Sequence, residues 1–213
     1  YILSLIFLTL NINHRLFSQE NTNLKIETAG FFDKDNKKFP NATVLTRDNL
    51  GQVVITHDGV KMWCNQAFFD EDRNFIEAYG NVILKQGDTI DLKSSYLEYN
   101  GDTKIAFASG KVKLTEPTSI LLTDSLYFDR NKQEAFYNNY GRVIKEKQDT
   151  IDSKIGNYIL ENKKYEFKIN VLLKSPKYEI STPRLDYYTE NGHAYFYGAT
   201  QIKSEESDIY CEL

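Results

Sequence analysis

The stretch that decides the fold is Gly80–Gly110, GNVILKQGDTIDLKSSYLEYNGDTKIAFASG, followed at once by Gly110–Gly141, GKVKLTEPTSILLTDSLYFDRNKQEAFYNNYG. The two read as one unit used twice, and a third begins at Gly141 as GRVIKEKQDTIDSK. Val or Ile recurs at Val53, Val82, Val112, Val143, Val171 and Ile202, at spacings of 29, 30, 31, 28 and 31. A period of this size marks stacked units that bury their core against neighbours and build a long continuous surface.

Within the units, apolar residues fall in columns. One runs Met62, Leu92, Leu121, Ser153, Ile180; a second Ala67, Leu97, Leu126, Tyr158, Leu185; a third Phe69, Tyr99, Phe128, Leu160, Tyr187. The last two are two residues apart and share one strand face. The first lies five residues earlier, an odd number, so a straight strand would turn Leu92 and Leu97 to opposite sides. Both are apolar, which predicts a phase switch between them, where Ser94-Ser95, Gly156 and Pro183 fall. A bulge or corner there lets both halves face inward. The same reading across Gly110 pairs Phe107 with Val112. Asn100-Gly101 and Asn191-Gly192 are hairpin signals, which favour antiparallel pairing. The expected fold is all-β: an antiparallel jelly-roll or folded two-sheet slab of bent hairpins. A parallel solenoid with one coil per unit is the alternative.

Thr, Val, Ile, Tyr and Phe dominate the periodic positions, as strands require. The net charge of -4, with both signs scattered, excludes a basic nucleic-acid surface. Residues 1–10, YILSLIFLTL, form an apolar run too short to span a bilayer, and polar residues follow it to Ser18. This fits a signal peptide over 1–19, incomplete at its start, with export and a mature repeat domain over 20–213. No Cys follows the run, so a lipoprotein anchor is not expected. The last unit has barely begun when the chain stops at Leu213, so a fragment is expected.

Cys64 and Cys211 occupy equivalent places five units apart. At ~4.8 Å per strand step they lie beyond disulfide reach, so two free, mostly buried thiols are expected. No motif for nucleophilic catalysis, phosphate cradling or zinc binding occurs. Asp88-Thr-Ile-Asp91 and Asp149-Thr-Ile-Asp152 are the only paired carboxylates. They read as strand openings after a turn. No metal, cofactor or enzyme activity is expected.

Gly59-Val-Lys-Met-Trp-Cys-Asn65, Phe75-Ile-Glu-Ala-Tyr-Gly-Asn-Val82, Gln86-Gly-Asp-Thr-Ile90, Tyr96-Leu-Glu-Tyr-Asn100, Ala106-Phe-Ala-Ser-Gly110, Leu126-Tyr-Phe-Asp-Arg-Asn-Lys132 and Gly192-His-Ala-Tyr-Phe-Tyr-Gly198 together resemble the OstA-like proteins of Bacteroidetes-type bacteria. The resemblance covers about residues 40–213. That family is similar to LptA and the N-terminal domain of LptD. The resemblance implies a periplasmic jelly-roll that binds lipopolysaccharide and passes it towards the outer membrane, with outer-membrane association as a further expectation. Lipid A acyl chains would contact the inward columns. The candidate positions are Val82, Leu92, Leu97, Tyr99, Phe107, Val112, Leu126, Phe128, Val143, Tyr158, Leu160, Leu185 and Tyr187. Other jelly-roll domains of a transport machinery are the implied partners. Open sheet edges, including Gln201–Leu213, suggest head-to-tail self-association. Two rival readings stand beside this one. A structural or adhesive envelope protein would have a filled core. A polysaccharide-active β-helix enzyme would need a consistently acidic column, and none exists.

Overall fold

The computed structural model describes residues 23–34, 41–145 and 149–212. The expected signal peptide over 1–19 lies outside the described residues. Nineteen strands follow one another, with no helix among the described residues. Six are long: β7 (Phe75–Gln86), β8 (Ile90–Asn100), β9 (Ile105–Thr115), β10 (Ser119–Asp129), β15 (Lys164–Lys174) and β16 (Tyr178–Tyr188). Elsewhere two short strands make the same excursion: β1 (Lys25–Thr28) with β2 (Phe31–Lys34), β3 (Thr43–Thr46) with β4 (Val53–His57), β5 (Val60–Cys64) with β6 (Gln66–Asp70), β11 (Glu134–Tyr137) with β12 (Gly141–Lys145), β13 (Thr150–Ser153) with β14 (Ile155–Ile159), and β17 (Ala194–Tyr197) with β18 (Thr200–Ser204). The last strand is β19 (Asp208–Cys211).

Every pairing is antiparallel, which excludes the solenoid. The first half of β10 pairs β12 and its second half pairs β11, so the ladder divides into two sheets joined along a crease. Sheet I holds β2, β3, β6, β11, β14, β17 and the sheet-I halves of the long strands. Sheet II holds β1, β4, β5, β12, β13, β18, β19 and the other halves. The result is a folded slab whose two sheets face one another across an apolar core.

The crease has a repeated chemistry. On odd-running strands one extra residue bulges out, at Gly80-Asn81, Gly110-Lys111 and Ile169-Asn170, each pair with positive φ. A Cβ on Gly110 would lie 2.9 Å from that of Ser95, so the glycine meets both demands at once. On the returning strands a hydroxyl turns back onto the chain. Ser94 Oγ donates to the Tyr96 carbonyl at 2.8 Å, Thr123 to Ser125 at 3.3 Å, Ser153 to Ile155 at 2.8 Å and Thr182 to Arg184 at 3.1 Å. These bonds satisfy carbonyls that the bend takes out of the ladder.

The opposite edge of the slab is a mouth, rimmed by the hairpin loops of both sheets. Sheet I loops have four residues, 71–74, 101–104, 130–133, 160–163 and 189–192, with the last in the left-handed region each time: Asn74, Lys104, Gln133, Lys163 and Gly192. Asn100-Gly101 therefore marks a turn but not a two-residue one. Gly101 is needed for close approach to the Asn74 side chain, which a Cβ would meet at 2.4 Å. Asp58-Gly59 is a two-residue hairpin turn in which both residues have positive φ.

Candidate functional site

The inner face of sheet II carries one unbroken row across the strands: Ile55, Met62, Leu84, Leu92, Leu114, Leu121, Val143, Ile151, Leu173, Ile180 and Ile202. The place expected for Ser153 belongs to Ile151, and Ser153 sits at the crease with Ser94, Thr123 and Thr182. Val143 lies in this row too, two residues from the crease column of Val53, Val82, Val112, Gly141, Val171 and Thr200. That column runs at 29, 30, 29, 30 and 29, so the uneven spacings of 31, 28 and 31 come from counting Val143 in Gly141's place and Ile202 in Thr200's. Gly141 is there because the Tyr137 ring fills the site: a Cβ on Gly141 or Gly156 would meet that ring at 2.5 and 2.3 Å. Tyr137 is anchored by a 2.7 Å hydrogen bond with Ser153 Oγ.

Sheet I supplies two inner rows. One holds Leu45, Ala67, Ala78, Leu97, Ala108 and Leu126; the other holds Phe69, Ile76, Tyr99, Ala106, Phe128, Ala135 and Tyr158. From β8 onward large and small residues alternate across neighbouring strands, as Leu97, Ala108, Leu126 and as Tyr99, Ala106, Phe128, Ala135, Tyr158, which lets the two sheets interdigitate. Of the candidate positions, Val82, Leu92, Leu97, Tyr99, Val112, Leu126, Phe128, Val143, Tyr158, Leu185 and Tyr187 are buried between the sheets. Leu160 is half-buried against the core, just past the end of β14. Phe107 is a correction. It faces outward and packs on Tyr127 at 4.7 Å between ring centroids, while Ala106 and Ala108 face in. On β9 the inward residues across the crease are Ala108 and Val112, four apart, because the bulge absorbs one residue. The five-residue spacing holds only on the returning strands.

Along β4 to β10 the mouth is closed by polar bonds between the rims. Lys104 Nζ of sheet I lies 2.6 Å from Asp58 Oδ2 of sheet II, and this bond holds the Asp58 carboxyl below the usual carboxylate range. Arg130 donates to the Asp58 carbonyl (2.8 Å), to Gln86 Oε1 (3.0 Å) and to the Tyr99 hydroxyl (2.8 Å). The same hydroxyl lies 2.8 Å from His57 Nδ1, and Gln86 Nε2 donates to Gln133 Oε1 at 3.2 Å. Of these residues sequence reasoning singled out only Tyr99, as an inward lipid contact.

Past the Arg130 network the mouth holds cavities, bridged at Ser119 Oγ to the Tyr165 hydroxyl (3.3 Å) and at Lys145 Nζ over the Tyr187 ring (4.3 Å). A cavity of about 760 Å³ lies against Ile90, Glu116, Pro117, Gln133, Tyr158 and Leu160. A second, of about 580 Å³, continues past Thr118, Thr189 and Glu190, which both share, and is walled by Ile151, Leu173, Ile180, Tyr187 and Phe196. Each lies within the range of roughly 300–1,000 Å³ typical of ligand pockets. Here the alternation fails: Tyr158, Tyr165 and Tyr187 follow one another across β14, β15 and β16. Glu116 stands where the closed and open sections meet. Burial lifts its carboxyl to about 7, against the hydrogen bonds from Ser119, Tyr158 and Tyr165.

The carboxylates of the two Asp-Thr-Ile-Asp strings are spent locally. Lys85 pairs with Asp91 at 3.4 Å, and Arg142 holds Asp152 with two nitrogens at 2.6 and 2.9 Å. Among the described residues no acidic, His or Cys cluster has metal-site geometry. Both cysteines are free. Cys64 is buried, and burial raises its thiol to about 12; Cys211 is exposed on edge strand β19, contrary to the expected burial.

No curated protein matches the chain. Among solved structures the fold is similar to that of LptH, the LptA homologous periplasmic component of the conserved lipopolysaccharide transport device from Pseudomonas aeruginosa, at 10% identity and a TM-score of 0.47, over 52% of this chain and 82% of that one. The model of the OstA-like protein family matches residues 14–183. The chain therefore belongs to the OstA-like family, whose members are transport and binding proteins rather than enzymes.

Proposed function

We propose that this chain is a periplasmic lipopolysaccharide-binding transport protein, carrying or bridging lipopolysaccharide towards the outer membrane with acyl chains held between its two sheets. Family membership supports the transport role. The observation that carries the binding mode is the widening of the mouth beyond β10 into two adjoining cavities with Ile, Leu, Tyr and Phe walls. Acyl chains seated there leave water at about 0.8 kcal/mol per CH₂. Direction comes from partners: other jelly-roll domains or further copies of this chain, met through sheet edges. Such edges support strand addition. Export follows from the apolar run at residues 1–10.

The rival reading, a structural envelope protein with a filled core, has one observation in its favour. Around β3 to β10 the interior is closed, with Leu45, Val53, Leu84, Leu92 and Leu97 fully buried. Lipid extraction separates the two. Protein purified from an envelope fraction should carry lipid A–containing material by mass spectrometry, and a filled-core protein should carry none.

A further inference from the structure

We infer that the mouth is divided: its section beyond β10 is the port through which a glycolipid is taken up, and its section along β4 to β10 is held shut by a polar latch centred on Arg130. The inference rests on the lipid-carrying reading and assigns it a place. The latch side has one connected network of ties between sheets, Lys104–Asp58, Arg130 to Asp58 and Gln86, and Gln86–Gln133. Lys104 keeps only 11% of its side chain exposed, so its ammonium is held rather than solvated. Behind these ties the inner rows are packed large against small, and an acyl chain has no room without parting the sheets.

The port side differs in its wall and its rim, and its ties between sheets are Ser119 Oγ at 3.3 Å from the Tyr165 hydroxyl and Lys145 Nζ at 4.3 Å over the Tyr187 ring. Its interior wall is apolar at Ile151, Leu173, Ile180 and Phe196. Its rim carries Asn131, Gln133, Thr118 and Thr189 with both charge signs, Lys132 and Lys163 beside Glu161 and Glu190. Such a rim offers donors and acceptors with no surplus of positive charge. It is the complement of sugar hydroxyls more than of a bare phosphate. An apolar slot under a hydroxyl-binding rim is what an acylated sugar presents in reverse. Arg130 and Gln133 belong to the same loop, 130–133, with Arg130 in the latch and Gln133 shared between the latch and the port rim. A ligand head group that draws on Gln133 therefore competes with Gln86, and loading at the port loosens the latch.

The test places a photoreactive benzoylphenylalanine at Phe196, on the port wall, or at Phe69, on the inner row behind the latch. Two probes are used: lipopolysaccharide with a short core oligosaccharide, and a photoreactive long-chain fatty acid. Crosslinking at position 196 should exceed that at 69 by about tenfold with either probe. In an Arg130→Gln background, checked for an unchanged fold by circular dichroism, labelling at 69 should rise to within about twofold of 196. Equal labelling at both positions in the latched protein, or labelling at 69 alone, overturns the divided mouth. Labelling at 196 by the fatty acid but not by lipopolysaccharide keeps the port and rejects lipopolysaccharide as its cargo. No labelling at 196 by either probe overturns the port itself.

Discussion

Truncating Leu97 and Ile180 should have unequal effects if the interior is packed on one side and open on the other. Leu97 is fully buried in sheet I, between Ala78 and Ala108, under closed rims. Its neighbours are backbone-tight alanines that cannot swing into a void. Leu97→Ala should therefore cost near the middle of the large-to-small range, about 3 kcal/mol. For a domain of this length each kcal/mol moves Tm by roughly 2–4 °C, so the expected fall is about 6–12 °C. Ile180 keeps 6% exposure and lines the second cavity. The void left by Ile180→Ala opens into that cavity instead of staying closed, so the change should cost about 2 kcal/mol, the low end of the range, or roughly 4–8 °C. Lipid retention should respond in the opposite order, with Ile180→Ala losing bound lipid while Leu97→Ala retains it whenever folded. Scanning calorimetry with lipid quantified from the same preparations reads both. Equal losses of Tm would refute the contrast between the two sections, as would lipid loss confined to Leu97→Ala. An aspartate at Leu97 or Leu126 would place an unpaired carboxylate in the closed section and should unfold the domain rather than merely weaken lipid binding.

Glu116 should make stability fall as pH rises: its carboxyl is raised in the fold from 4.5 to about 7, so the stabilisation is full below 4.5 and lost by about 7. At roughly 1.4 kcal/mol per unit this is up to about 3 kcal/mol, and Glu116→Gln should abolish the slope in urea titrations at pH 4.5 and 8; an unchanged slope would exclude Glu116 as its source. Ile169 is a β-branched residue at φ 65 where the equivalent bulges use Gly80 and Gly110, so Ile169→Gly should raise stability by about 1 kcal/mol, and a loss in Tm would show that the strain is relieved elsewhere. Gly156→Ala should be strongly destabilising through the Tyr137 ring, while Gly51→Ala, with open space around it, should be neutral. Native protein at pH 8 should react with one equivalent of a thiol reagent, at Cys211, and with two after unfolding; prompt modification of Cys64 would contradict its burial.

The repeat, the antiparallel pairing and the corner between Leu92 and Leu97 were legible in the residues because each depends on local alternation repeated several times. The corner on β9 was misread at Phe107 because a bulge hides one residue from any count along the chain. The crease column Cys64, Ser94, Thr123, Ser153, Thr182 and Cys211 was visible at spacings of 29 and 30, yet hydroxyl groups attract little notice in a search for apolar periodicity. The latch was not legible. Asp58 meets Lys104 and Arg130 across 46 and 72 residues, from loops that only the folding of the slab brings together. Nor does the sequence announce where the cavities lie, since their walls, such as Ile90, Tyr158 and Ile180, come from strands far apart in the chain.

The measurement that tests the central claim most directly is native mass spectrometry of the mature chain isolated from an envelope fraction, with tandem identification of any bound molecule. The account predicts a complex with one acylated glycolipid carrying lipid A fragments, lost on Ile180→Ala and kept in the Gly51→Ala control. A homogeneous protein free of lipid, with unchanged stability when lipopolysaccharide is added, would contradict it.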